Sequence, residues 1–234
     1  MPLHEDIASN LADVRQRIHT AAQEAGRDPG DVRLLAVSKT FSLDHIRAAA
    51  EAGQRDFGEN RVQEALQKID RSADLKIRWH LIGTLQSNKV RKAVPRFDAI
   101  HSVDSLHLLE AIENAALEAA VRLDLLVQVD LAGEATKHGA PIDTATAIVT
   151  AAERCRAARL VGLMTIPPWF EHPEDARPFF AQLRDLRTTL LKTGVDPAQM
   201  RELSMGMSHD FEIAVQEGAT IVRLGTAIFG QRHV

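Results

Sequence analysis

Short apolar runs alternate with helical stretches along the length of this chain, and that alternation constrains the fold more tightly than any other feature. Ile7, Leu11, Val14 and Ile18 recur at helical spacing and stop before Gly26, with Pro29 and Gly30 beyond, which predicts an opening helix. Residues 33–38 then form an apolar run bounded by turn residues, and a helical pattern over 43–52 follows. The unit recurs: Asp56-Phe57-Gly58 before a helix over 60–69, and residues 79–83 before one over 86–94. Further strands are predicted at 99–103, 125–129, 161–166, 202–205 and 221–224, with helices over 105–120, 143–158 and 173–191. Parallel neighbouring strands require a crossover helix, and eight strand–helix units close into a barrel. The expected fold is therefore α/β, a (β/α)8 TIM barrel, with a doubly wound open sheet as the rival. At 234 residues, and without a repeat or linker, the chain is expected to be one domain spanning 1–234.

Composition removes several classes of function. Apolar residues at 45% and charged residues at 26% match neither a disordered nor a membrane protein. A net charge of −4 argues against nucleic acid as a partner. Cys155, the single cysteine, sits in a helical-looking Arg-Cys-Arg stretch and cannot form an internal disulfide. The N-terminal residues are acidic and lack the basic start and apolar run of a secretory signal, and no segment is apolar enough to span a membrane. A cytoplasmic location is expected. The histidines show no metal-binding spacing, so no metal site is expected. Lys89, Arg91, Lys92 and Arg96 read as a solvated helix face.

In a barrel of this kind function gathers at the carboxyl ends of the strands. Those ends carry Lys39, Glu59-Asn60, Gly83, Ser102, Asp130, Met164-Thr165, residues 205–208 and Arg223-Leu224-Gly225-Thr226. Hydroxyls, glycines, a lysine and an arginine in these places suit a phosphorylated ligand. Ser208 precedes an acidic helix start, where a plain N-cap is the simplest role. Gly225-Thr226 ends the next strand, and the loops after the seventh and eighth strands are the recurrent phosphate site of this fold. Lys39 ends the first strand, where an amine can form an imine with a carbonyl compound. With the ordinary lysine pKa of about 10.4, only roughly one lysine in 2,500 is neutral at pH 7. Partial burial and a nearby cation would have to lower that value, and Arg223 is the candidate cation.

Five motifs in order resemble the pyridoxal phosphate (PLP) homeostasis protein family, also known as the proline synthase co-transcribed homologue family. They are Ala36-Val37-Ser38-Lys39-Thr40, Phe57-Gly58-Glu59-Asn60, residues 79–83 with Gln86-Ser87-Asn88-Lys89, residues 203–210, and residues 223–230. The resemblance implies a barrel similar to the N-terminal domain of alanine racemase, with PLP as a Schiff base on Lys39 and Arg223 facing the pyridine nitrogen. It further implies phosphate contacts from Ser208, Gly225 and Thr226, with Asn60, Met164 and Ser204 lining the ring. Residues 134–139 resemble the family's Glu-x-x-Lys-x-Gly loop, which makes Lys137 a candidate second lysine in cofactor exchange. Asp130, just before it, stands where the family more often has asparagine.

The same residues favour a carrier over an enzyme. PLP catalysis is usually strengthened by a carboxylate that keeps the ring nitrogen protonated, whereas arginine can only donate to that nitrogen. Alanine racemase, which also uses arginine there, adds a tyrosine base from its partner subunit; this chain has no tyrosine. The expectation is a monomeric protein that buffers or supplies PLP, with apo PLP-dependent enzymes as candidate recipients. A one-base, racemase-like amino-acid enzyme is the alternative, and a Schiff-base aldolase acting on a phosphorylated sugar is a more remote one.

Overall fold

The protein, seen as a computed structural model describing residues 2–133 and 138–231, is a closed barrel of parallel strands in the order β1 to β8. The strands are β1 (Arg33–Val37), β2 (Asp56–Glu59), β3 (Arg78–Leu81), β4 (Ala99–Val103), β5 (Leu123–Gln128), β6 (Ala158–Met164), β7 (Glu202–Ser204) and β8 (Ile221–Leu224). The principal helices are α1 (Pro2–Glu24), α2 (Leu43–Glu51), α3 (Val62–Arg71), α4 (Val90–Ala93), α5 (Leu106–Ala119), α6 (Ile142–Ala152), α7 (Arg177–Lys192), α8 (Phe211–Gln216) and α9 (Thr226–Phe229). β1 pairs with β8 from Arg33 opposite Ile221 to Ala36 opposite Leu224, which closes the ring and removes every sheet edge. The open-sheet rival is thereby excluded.

Most buried apolar residues fill the shell between barrel and helices, with Phe57, Phe180 and Phe211 fully enclosed. The α1 residues Ile7, Leu11, Val14 and Ile18 all enter this shell, as their helical spacing predicts. Two smaller clusters, Leu35-Val37-Ile82-Ile221 and Leu126-Val161-Met164, stand apart from it.

Three expected helices differ most in extent. The helix predicted over 143–158 ends at Ala152, and β6 already begins at Ala158. Glu113 of α5 explains the stop, because its carboxylate accepts the backbone N–H groups of Arg156, Ala157 and Ala158 and turns them away from the helical path. Cys155 consequently lies in the turn after α6 and not in a helix. The helix expected over 86–94 is a short α4 flanked by 3-10 turns, Ser87–Lys89 and Val94–Arg96; Pro95, with no N–H to donate, sits in the second. The stretch expected as one helix over 173–191 begins as a 3-10 turn, Pro173–Ala176, before α7.

Candidate functional site

β1 delivers Lys39 to the carboxyl end of the barrel, and the residues on either side of it are tightly held. Ser38 is fully buried and donates its hydroxyl to Glu59 Oε1 at 2.7 Å. Lys68 Nζ bridges the Ser38 carbonyl at 2.8 Å, Glu59 Oε1 at 2.7 Å and Glu64 Oε1 at 2.7 Å. Glu64 Oε1 also accepts the Thr40 N–H at 2.7 Å. Thr40 has φ of 70°, a strained value for a β-branched residue. Lys39 is thus set between an anchored residue and a strained one, both fixed by a three-charge cluster from β2 and α3. Burial pushes the Glu59 carboxyl above its usual range although Lys68 opposes the shift.

Lys39 opens onto a cavity of about 680 Å³. Asn60, Ser208, Arg223, Gly225 and Thr226 line the same cavity, so six of the eight predicted site residues converge there. Asn60 lies in the loop before α3, which begins at Val62, two residues later than the sequence pattern predicts. Its position depends on Gly83 after β3, where an added Cβ would stand 2.2 Å from the Asn60 carbonyl oxygen. The two other residues, Met164 and Ser204, are fully buried and do not line the cavity. Met164 packs on Leu126 and Val161. Lys137 lies outside the described residues; His138, just after it, is on the cavity wall.

Ser208 does not cap α8. That place belongs to Asp210, whose Oδ1 accepts the Met207 N–H at 2.6 Å. The Ser208 hydroxyl instead accepts the N–H groups of Gly225 at 3.2 Å and Ala227 at 3.3 Å. The 205–210 loop can make this approach because Gly206, at φ of 92°, has no Cβ; an added one would lie 2.6 Å from the Ala214 Cβ. A hydroxyl and two backbone amides therefore meet at one end of the cavity, a donor set suited to phosphate.

Arg223 closes the floor. It is only 4% exposed, donating from Nη1 to Ser204 Oγ at 2.8 Å and from Nη2 to the Thr165 carbonyl at 2.9 Å. Burial lowers its pKa to about 10, with the Asp210 charge opposing the shift. It stays protonated at neutral pH and, like any guanidinium, can only donate. Ser204 in turn contacts His101, which bonds His80, which bonds Asp56. No sequence spacing announces these buried histidines. In the loop after β5, Asp130 Oδ1 accepts the N–H groups of Ala132 and Gly133 at 3.0 Å each. An asparagine oxygen could accept the same two bonds, so the aspartate leaves this turn intact. Of the basic helix face, Arg91 pairs with Glu118 and Arg96 with Asp70, as on a solvated surface.

This fold and this site define a class: (β/α)8 barrels of the alanine racemase N-terminal type, with a lysine at the end of the first strand. The family described as alanine racemase, N-terminal domain, matches residues 9–233. A pyridoxal phosphate homeostasis protein of Pseudomonas aeruginosa is 45% identical over 226 residues, covering 97% of this chain and 96% of that protein. A solved structure of PipY from Synechococcus elongatus PCC7942 with PLP bound superposes with a TM-score of 0.85 at 40% identity, covering 96% of this chain and 100% of that one. Alanine racemase of Clostridium difficile 630 shares the fold at 14% identity and a TM-score of 0.75, and this chain spans 58% of it. The chain belongs to the pyridoxal phosphate homeostasis protein family.

Proposed function

We propose that this protein binds pyridoxal 5′-phosphate on Lys39 and serves as an intracellular reservoir for it, releasing it to apo-enzymes instead of turning over a substrate. The observation that carries this reading is the convergence of Lys39, Arg223 and the Ser208–Gly225 amide cluster on one cavity. Each group suits one part of the cofactor. The Lys39 amine would hold the aldehyde, and Arg223 would donate to the ring nitrogen. Ser208, Gly225 and Thr226 would hold the phosphate, with Asn60 beside the ring; Met164 and Ser204 would act from behind the cavity wall. Bound PLP supplies an aldehyde and, where its ring nitrogen is protonated, a strong electron sink.

Arg223 works against that sink. Its pKa of about 10 leaves it protonated near pH 7, so a ring nitrogen facing it would accept its hydrogen bond and stay unprotonated. The absence of tyrosine removes the phenolic base that an alanine racemase sets opposite its lysine. Both features support holding over turnover. Among the described residues no helix is long and apolar enough to cross a membrane, and a cytoplasmic location is part of the same proposal. A monomer is part of the same proposal, because the chain has no tyrosine to offer a partner's site.

Two measurements test the function together. Purified protein incubated with PLP and desalted should retain a visible chromophore near one equivalent, and mixing it with an apo PLP-dependent enzyme should restore that enzyme's activity. A screen of amino acids should give no sustained product formation. Failure to retain PLP overturns the binding claim, and multiple turnovers on any amino acid would replace the reservoir with an enzyme.

A further inference from the structure

The inside of a barrel of this kind is ordinarily packed with layers of branched apolar side chains. Here a line of polar groups crosses it. Asp56 begins β2, and its Oδ1 lies 3.1 Å from His80 Nε2 on β3. His80 Nδ1 lies 2.9 Å from His101 Nε2 on β4. His101 Nδ1 lies 3.0 Å from Ser204 Oγ on β7, and Arg223 Nη1 on β8 lies 2.8 Å from the same oxygen. β4 and β7 are not neighbours in the sheet, so the His101–Ser204 bond can only pass through the interior. Strand register shows that the line also climbs: Asp56 is opposite Arg78, His80 opposite Ala99, and Ser204 opposite Ile221. Each step along a strand, Arg78 to His80, Ala99 to His101 and Ile221 to Arg223, rises one inward-facing layer. The line runs from the base of the barrel to the cavity.

Proton bookkeeping gives it a direction. Arg223 can only donate, so Ser204 Oγ accepts from it. The Ser204 hydroxyl is fully buried, and its one other partner among the described residues is His101 Nδ1. It must therefore donate to that nitrogen, because a buried hydroxyl proton without an acceptor costs about 1–3 kcal/mol. His101 then carries its proton on Nε2 and donates to His80 Nδ1. His80 in turn carries its proton on Nε2 and donates to the Asp56 carboxylate. The competing arrangement, a doubly protonated His80 with His101 donating to Ser204, strands the Ser204 proton.

We propose that Asp56, His80, His101 and Ser204 form a one-way hydrogen-bond relay that holds Arg223 in place as the donor on the cavity floor. His80 and His101 are accordingly positioning residues, acting through Arg223 and touching no ligand. The relay stands on these distances alone; its bearing on PLP rests on the proposed contact between Arg223 and the ring nitrogen. Charges at both ends reinforce it. Burial foremost, with the Arg223 and Arg33 charges adding to it, holds the His101 imidazole well below its usual pKa, keeping it neutral as the relay requires. Asp56 is further fixed by Arg78 at 2.6 Å. Aligned donors also polarise one another, strengthening each bond in the series.

Long-range proton–nitrogen correlation spectra of the full chain labelled with ¹⁵N-histidine, recorded with and without PLP at pH 7, test the proposal. Both His80 and His101 should appear as neutral rings protonated on Nε2. Asp56→Asn, which keeps an acceptor, should preserve this state. Asp56→Ala should shift the His101 nitrogens toward mixed tautomers and move the visible band of bound PLP. If Asp56→Ala does not fold, Ser204→Ala should release the His101 tautomer from the other end. Protonation of His101 on Nδ1, a doubly protonated His80, or a His101 signal indifferent to both variants overturns the relay. A protein that shows the relay but does not retain PLP would instead defeat the functional reading and leave the relay standing.

Discussion

The Ser208 hydroxyl accepts the backbone N–H of Gly225 at 3.2 Å, joining the loop after β7 to the end of β8. Seventeen residues separate the two in sequence, and the bond turns them into one rim of the cavity. If that rim holds the phosphate, Ser208→Ala removes one hydrogen bond to a charged group, worth about 1.5–3 kcal/mol. PLP affinity should then fall roughly tenfold or more, while pyridoxal, which lacks the phosphate, should bind equally well to parent and variant. Equal losses for both ligands in a spectroscopic titration would remove the serine from the phosphate site.

Stability should decline in acid in two stages. The folded state keeps His101 neutral, whereas the unfolded chain takes up a proton below about pH 6.5. Its contribution is complete above that pH and is lost progressively as pH falls below it. Asp56 follows at lower pH. Burial pushes its carboxyl up, but hydrogen bonds from His80 and Arg78 and the Arg78 charge outweigh burial and hold it at about 2, down from 3.8. Its stabilisation, about 2 kcal/mol, is present above pH 4 and lost as pH falls toward 2. Urea unfolding across pH 7 to 3 checks both stages, and Asp56→Asn should flatten only the lower one. A parent protein equally stable at pH 7 and pH 5 would contradict the first.

Gly162 tests the closure of the barrel. It pairs with Glu202 across β6 and β7, and an added Cβ would stand 1.9 Å from the Glu202 carbonyl oxygen. Backbone has to move, so Gly162→Ala should cost about 3 kcal/mol. For a chain of this size that corresponds to a fall in Tm of roughly 6–12 °C. An unchanged Tm in a thermal scan would show that the two strands can part here at no cost.

The strands were legible because short extended runs alternate with helical patterns, and β4 and β8 occur at the predicted limits, 99–103 and 221–224. Helix ends were less so. Alanines at 151, 152, 157 and 158 prolong the helical pattern past Ala152, and the Glu113 carboxylate that ends it lies about forty residues earlier. That Lys39, Ser208 and Arg223 would share one cavity was legible, because function gathers at the carboxyl ends of barrel strands. Their supports were not. Lys68, which clamps Ser38 and Glu59, looks in sequence like half of an ordinary i,i+4 pair with Glu64. His101 and Ser204 meet across the barrel from 103 residues apart, and no local pattern encodes such a contact.

Borohydride reduction of the PLP-loaded protein, followed by peptide mass mapping, bears most directly on the central claim. The reduced cofactor should be found on Lys39, near one equivalent, and Lys39→Ala should lose the visible chromophore. A label on another lysine, or a Lys39→Ala protein that keeps PLP as tightly and with the same colour as the parent, would contradict it.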